Sequence, residues 1–285
     1  MVPLQPAGSL LPRPPARRPG PGRAGAWVDR AARGTAPVLV AVAHGSRDPR
    51  SAATVAALAD EVRRQHPEFD VRVSFLDLSA PRLPDVLAAV AAEGNRRAVV
   101  VPLLLGHAFH ARVDVPGEVS RAVRRHPQLD IATADVLGGS SLLEAAALER
   151  LAAVAGSLDD PRLGVVLAAI GSSHAPANAA VAQVVSGWTR RFGWAGGTAA
   201  FATTTEPTVP QAIAALREQG AQRVAVAQWI LAPGLLPDAI ARAARAAGPD
   251  LLLASPLAAH PAIAALVAAR YTAAANTPAT SRAAG

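Results

Sequence analysis

The apolar residues of the chain fall into two alternating rhythms, one of period two or unbroken and one of helical period. Val38–Ala43 is apolar without interruption, which reads as a strand buried on both faces. Ser51–Gln65 reads as a helix, and Asp70–Phe75 as a strand with Val71, Val73 and Phe75 on one face. Pro84–Glu93 reads as a helix with Pro in its opening turn, where a missing N–H matters least. Ala98–Leu105, almost wholly apolar, has the look of a central parallel strand. Val115–Arg125 then reads as helix, Asp130–Val136 as strand and Ser140–Val154 as helix. Strand followed by helix, four times over, predicts an α/β fold with a four-stranded parallel sheet flanked by helices and right-handed crossovers.

The pattern then restarts. Gly156–Pro161 is a linker, and shifting the first half by 126 residues lays Gly45-Ser46 on Gly171-Ser172, Phe75 on Phe201, Pro81 on Pro207, Gly94 on Gly220 and Arg97 on Arg223. Residues 37–155 and 162–272 are therefore expected to be two copies of one domain. They lie between a Pro/Arg-rich tail, 1–36, expected to be disordered, and a short Ala/Thr/Ser tail, 273–285. The repeat serves as an internal control. Its Gly-Ser turn and Pro punctuation occur in both halves, but His44 becomes Ile170, Arg47 becomes Ser173 and His110 becomes Leu236 in ungapped register. The second loop reads two residues shorter before Asp238, yet no His lies between His174 and His260, so the gap does not alter the result. Residues needed for the fold would be needed twice; these point to chemistry done once, in the first half.

Composition narrows that chemistry. The 285 residues include no Cys, which removes disulfides, thiolate nucleophiles and thiolate metal sites. Every basic residue is Arg, which removes a phosphate-loop lysine and a Schiff base. The net charge of +7 is concentrated in the tail: residues 1–36 hold six Arg against one Asp, and the remainder holds 22 Arg against 20 acids. A nucleic-acid surface is not expected. No apolar run reaches the roughly 18 residues of a membrane span, and the start lacks a secretory pattern, so a cytoplasmic location is expected. Gly20-Pro-Gly-Arg-Ala-Gly25 matches a dinucleotide pattern by chance, with no strand before it and Pro inside it. No nucleotide is expected as cofactor.

Seven histidines remain as candidates. His66 and His126 stand before Pro at helix ends and read as solvent-facing, and His174 and His260 also precede Pro in the second half. His44 and His110 differ, because each follows an apolar strand. In the strand order 2-1-3-4 those two strands are neighbours, at the switch point where open α/β sheets bind ligands. Two imidazoles there suit one divalent iron, nickel, copper or zinc ion and leave open positions on it. His44 could instead be a hydrogen-bonded turn residue. His107, three residues from His110, is placed behind the metal-binding residues or at the rim, and Asp77 is a third metal ligand, a proton acceptor or a turn carboxylate.

His44-Gly-Ser-Arg47, then Phe75-Leu-Asp-Leu-x-x-Pro81, then Val101-Pro-Leu-Leu-Leu105 with His110-Ala-Arg-Val-Asp-Val-Pro116, resembles the sirohydrochlorin chelatases of the CbiX/SirB type, class II chelatases. The resemblance spans roughly 37–272 and implies two tandem chelatase-like domains, the first active and the second degenerate. It implies that His44 and His110 are the catalytic, metal-binding pair. Asp77 stands where the family usually has Glu. It implies as substrates a tetrapyrrole with eight carboxylates and a divalent metal, Fe²⁺ or Co²⁺. Ser46, Arg47, Arg112 and His107 would face the tetrapyrrole, and Arg82 is a further candidate, because Arg pairs with carboxylate bidentately. Iron insertion to give sirohaem is the leading reading. Cobalt insertion toward cobalamin, a metal or tetrapyrrole carrier without turnover, and a nucleotide-binding α/β domain are the alternatives.

Overall fold

An unbroken apolar strand has to be covered on both faces, and β1 (Val38–Ala43), buried at all six positions, lies inside a sheet between two neighbours. The computed structural model describes residues 36–106, 114–203, 205–257 and 259–277. In the first half the chain runs β1, α1 (Pro49–Gln65), β2 (Val71–Phe75), α2 (Leu83–Ala92), β3 (Arg97–Pro102), α3 (Val115–Arg125), β4 (Asp130–Thr133) and α4 (Ser141–Ala155). The sheet is parallel in the order β2-β1-β3-β4, with Ala43 opposite Phe75 and Val42 opposite Pro102.

The second half repeats this as β5 (Leu163–Ala169), α5 (Ala175–Phe192), β6 (Gly196–Phe201), α6 (Val209–Glu218), β7 (Arg223–Gln228), α7 (Leu235–Ala246), β8 (Leu252–Leu253) and α8 (Pro261–Asn276). Its parallel order, β6-β5-β7-β8, is the same topology. The offset of 126 residues holds at backbone level: Gly45 and Gly171 have φ of 95° and 93°, and Pro81 and Pro207 both follow cis bonds.

Two strands stop earlier than their apolar runs. β3 ends at Pro102 and β4 at Thr133, although Leu103, Ala134, Val136 and Leu137 beyond them are buried. The apolar run continues because the loops at this end of the sheet are covered too.

Each half has an apolar layer of its own. In the first, Val38, Val40 and Val42 meet Leu83 and Leu87 of α2 and Val115 and Val119 of α3. In the second, Val166 and Ala168 meet Ile213 and Leu216 of α6 and Ile240 of α7. The opposite faces of the two sheets merge into one core shared by both halves. The last helix of each half crosses over within it: α4 packs on β7 and β8, whereas α8 packs on α1, β3 and β4. Tyr271 of α8 donates its hydroxyl to the Pro37 carbonyl at 2.6 Å, and Arg270 donates to the Gly138 carbonyl at 3.0 Å. The boundary expected at residue 155 thus closes a helix that covers the other half's sheet.

Candidate functional site

β1 delivers His44, half-buried, to the carboxyl end of the sheet, and the following turn is fixed by hydrogen bonds. Asp77 N–H donates to the His44 carbonyl at 2.8 Å. A Cβ at Gly45 would sit 1.6 Å from the Asp77 carbonyl oxygen, and with φ at 95° only glycine lets the two loops approach so closely. Ser46 N–H donates to Ser79 Oγ at 3.1 Å, and Ser79 Oγ donates to the Ser46 carbonyl at 2.9 Å. The Ser46 hydroxyl accepts from Asp48 N–H at 3.1 Å, so it also shapes the turn.

Asp48 then caps α1, its Oδ1 accepting from Arg50 N–H at 2.9 Å. The Arg50 guanidinium bonds Asp48 and also Asp238 of α7, each at 2.5 Å, and so ties the turn to the second half. That guanidinium, with the Arg50 N–H, holds the Asp48 carboxyl below the usual carboxylate range.

The other expected residues are placed as follows. Arg47 is exposed. Asp77 is exposed, and its carboxylate pairs with Arg82 Nη1 at 3.1 Å, so each partly neutralises the other. His107, His110 and Arg112 lie outside the described residues. Among the described residues no three His, Asp or Glu side chains come together as a metal site.

The remaining histidines have local tasks. His66 and His126 end α1 and α3, and both are half-buried. His260 is buried at the start of α8, where Nδ1 accepts from Ala262 N–H and Nε2 lies 3.1 Å from Glu149 of α4. His174 stands at the start of α5, half-buried.

β1 and β3 are hydrogen-bonded neighbours, with Leu103 N–H donating to the Val42 carbonyl at 2.8 Å. Two residues past the paired Val42 and Pro102, His44 and Leu104 lie at adjoining strand ends. Just past them a cavity of about 680 Å³ opens, within the range of small-molecule sites. Leu105, Gly106 and Gly138 of the first half line it, together with His174, Trp188 and Trp229 of the second. Gly138 is required there, since a Cβ would lie 2.5 Å from the Leu105 carbonyl oxygen. Opposite the turn, a Cβ on Gly234 would come within 3.8 Å of Ser46 Oγ, so the Leu231–Gly234 loop faces Ser46. This second-half wall was not legible in the sequence; the one available signal was a glycine, Gly187, at the position equivalent to Glu61 of the helix expected over 51–65.

A family model described as CbiX matches residues 38–154 and again 164–274. Among curated relatives, a sirohydrochlorin ferrochelatase of Bacillus subtilis is 26% identical over 226 residues, 78% of this chain and 86% of its own. A sirohydrochlorin cobaltochelatase of Methanosarcina acetivorans is 32% identical over 82 residues, 29% of this chain and 63% of its own. One from Methanothermobacter thermautotrophicus matches over 54% of its length, so the chain spans little more than half of such relatives. The structure of SirB from Bacillus subtilis with Fe³⁺ superposes with a TM-score of 0.73 at 23% identity, covering 85% of this chain and 96% of that one, which supports the fold. With matches on both halves that together take in most of the residues from 38 to 274, the chain belongs to the CbiX family.

Proposed function

We propose that this protein is a sirohydrochlorin chelatase, a lyase that inserts Fe²⁺ into sirohydrochlorin to give sirohaem. The observation that carries the reading is His44: a half-buried imidazole held at the switch point of the first sheet by a glycine-only turn. It stands beside the strand end that leads to a cavity of about 680 Å³, and the second copy has Ile170 in its place.

Insertion replaces two pyrrole N–H protons with one divalent ion, so the site must present the metal and receive two protons. A neutral imidazole does either. His44 and His110 are assigned both tasks, the latter on its place in the family's motif. Arg47 and Arg112 are assigned to the carboxylates of the macrocycle, with Ser46 holding the turn and His107 at the rim. Asp77, shared with Arg82, is assigned to the surroundings of the metal rather than to direct ligation. The metal is a substrate, no nucleotide enters the scheme, and the reading is consistent with a cytoplasmic location.

Iron is preferred because the match over most of the chain is to a ferrochelatase. Cobalt is the second reading, because matches of 31–33% identity over 78–82 residues are to cobaltochelatases. Anaerobic insertion assays with Fe²⁺ and Co²⁺, followed by the absorbance of sirohydrochlorin, decide between them. Multiple turnovers separate an enzyme from a stoichiometric carrier. His44→Ala is expected to lose about 100-fold or more in kcat/KM; full activity in that variant would refute the assignment.

A further inference from the structure

A second cavity, of about 210 Å³, lies wholly in the second half, beyond the carboxyl ends of β7 and β8, the end of an open α/β sheet where ligands sit. Gln228, the last residue of β7, is 5% exposed and lines it. Its Nε2 donates to the Ala254 carbonyl at 2.8 Å, which fixes the orientation of the amide. Its Oε1 is then buried with no hydrogen-bond partner among the described residues. A buried acceptor left unpaired is costly, so this one is kept for a donor from outside the chain.

The fold does not ask for that amide. Gln228 stands opposite Ala168 in the second sheet as Pro102 stands opposite Val42 in the first, and Pro102 has no polar side-chain atom. The charged groups of the cavity come from one face of α7, where Asp238, Ala241 and Arg245 are spaced by three and four residues. Asp238 is partly exposed and shares its carboxylate with Arg50. Arg245 is exposed and has no ion-pair partner among the described residues. Pro233, Pro237, Leu253 and Pro256 supply apolar sides.

We propose that this cavity binds a small free α-amino acid, its ammonium donating to Gln228 Oε1 and Asp238 and its carboxylate pairing with Arg245. A volume below the roughly 300–1,000 Å³ of drug-sized sites admits a small molecule and excludes a tetrapyrrole. An ammonium has donors and no acceptor, which is what an unpaired acceptor beside a carboxylate calls for. A guanidinium takes a carboxylate through two parallel hydrogen bonds. The proline and leucine sides leave a short aliphatic side chain as the part of the ligand that they cover. The site uses no residue of the His44 turn and does not depend on the chelatase reading.

The test is calorimetric titration of the full chain with glycine, L-alanine and L-serine, with acetate, methylammonium and L-lactate as controls. At least one of the amino acids is expected to bind once per chain with a Kd below about 1 mM, and about tenfold or more tighter than any control. Gln228→Met, similar in volume but without the amide, is expected to raise that Kd about tenfold or more. Arg245→Gln, a surface change that leaves the fold alone, is expected to do the same by removing the partner of the carboxylate. Absence of binding by all three amino acids overturns the site. So does an affinity in Arg245→Gln within about twofold of wild type. Acetate binding as tightly as the amino acid would mark a plain anion site, and L-lactate binding as tightly as L-alanine would mean that the ammonium plays no part; either overturns the assignment.

Discussion

Residues 36–160, produced alone, should fail to fold as a stable monomer, because the helix that covers one face of their sheet comes from the other half. α8 contributes Ile263, Leu266 and Val267, each no more than 3% exposed, to the face formed with β3, β4 and α1. Burying an aliphatic side chain of this size is worth roughly 1.5–3 kcal/mol, so these three account for about 5–9 kcal/mol. Whole domains are stable by only about 5–15 kcal/mol. At the same time α4 would lose its cover from β7 and β8. Two half-chains could satisfy both needs by trading α4. The half-chain is thus expected to be unfolded when dilute and dimeric when concentrated, with a urea midpoint that rises with concentration. Light scattering and urea unfolding followed by circular dichroism measure this. A monomer that unfolds cooperatively at a midpoint independent of concentration would refute the account of α8.

Four further outcomes are expected. Gly45→Ala should destabilise by about 2 kcal/mol or more and reduce metal insertion, since its Cβ meets the Asp77 carbonyl; a wild-type urea midpoint would contradict this. Tyr271→Phe removes the buried bond to the Pro37 carbonyl and should cost about 1 kcal/mol in urea unfolding, whereas an unchanged midpoint would mean that the bond contributes nothing. Asp160 is held well below the usual carboxylate range, first by the Arg162 side chain and N–H and then by Arg223. Its stabilisation is complete above the ordinary value of 3.8 and is lost as pH falls below it, so Asp160→Asn should flatten the fall in melting temperature below about pH 4, and parallel curves would exclude the role. Asp238→Asn removes the exposed charge that Arg50 bonds on α7 and should lower the urea midpoint only slightly, by an amount that salt removes in the wild type; a large fall would mean that the bridge is more than a surface pair.

The centre of the first sheet was legible in the sequence because β1 and β3 bury both faces and so read as unbroken apolar runs; β1 and α3 fall on the expected residues. The repeat was legible because the same backbone demands recur, as at Gly45 and Gly171, whose Cβ positions would both meet a loop carbonyl, that of Asp77 and that of Thr203. The strand ends were not. Leu103 and Val136 are as apolar and as buried as strand residues but lie in loops, and apolarity does not say where a strand stops. The same blindness hides the crossing of α4 and α8. Leu143, Ala147 and Leu151 announce that α4 is buried, and nothing local names the sheet beneath it. Of the site, the turn at His44 was legible from strand, glycine and histidine in sequence. The wall at Trp188 and Trp229 was not, because it forms only when the second half folds back on the first.

The crossing of the last helices gives the histidine-poor half a reason to persist. A symmetric pair of protomers that swap their final helix becomes this molecule once the linker from Gly156 joins them. After joining, one copy is free to shed its imidazoles, but it cannot be trimmed away, because the copy that holds His44 has no helix of its own for that side of its sheet. Selection on the first half therefore acts on the second half's core as well.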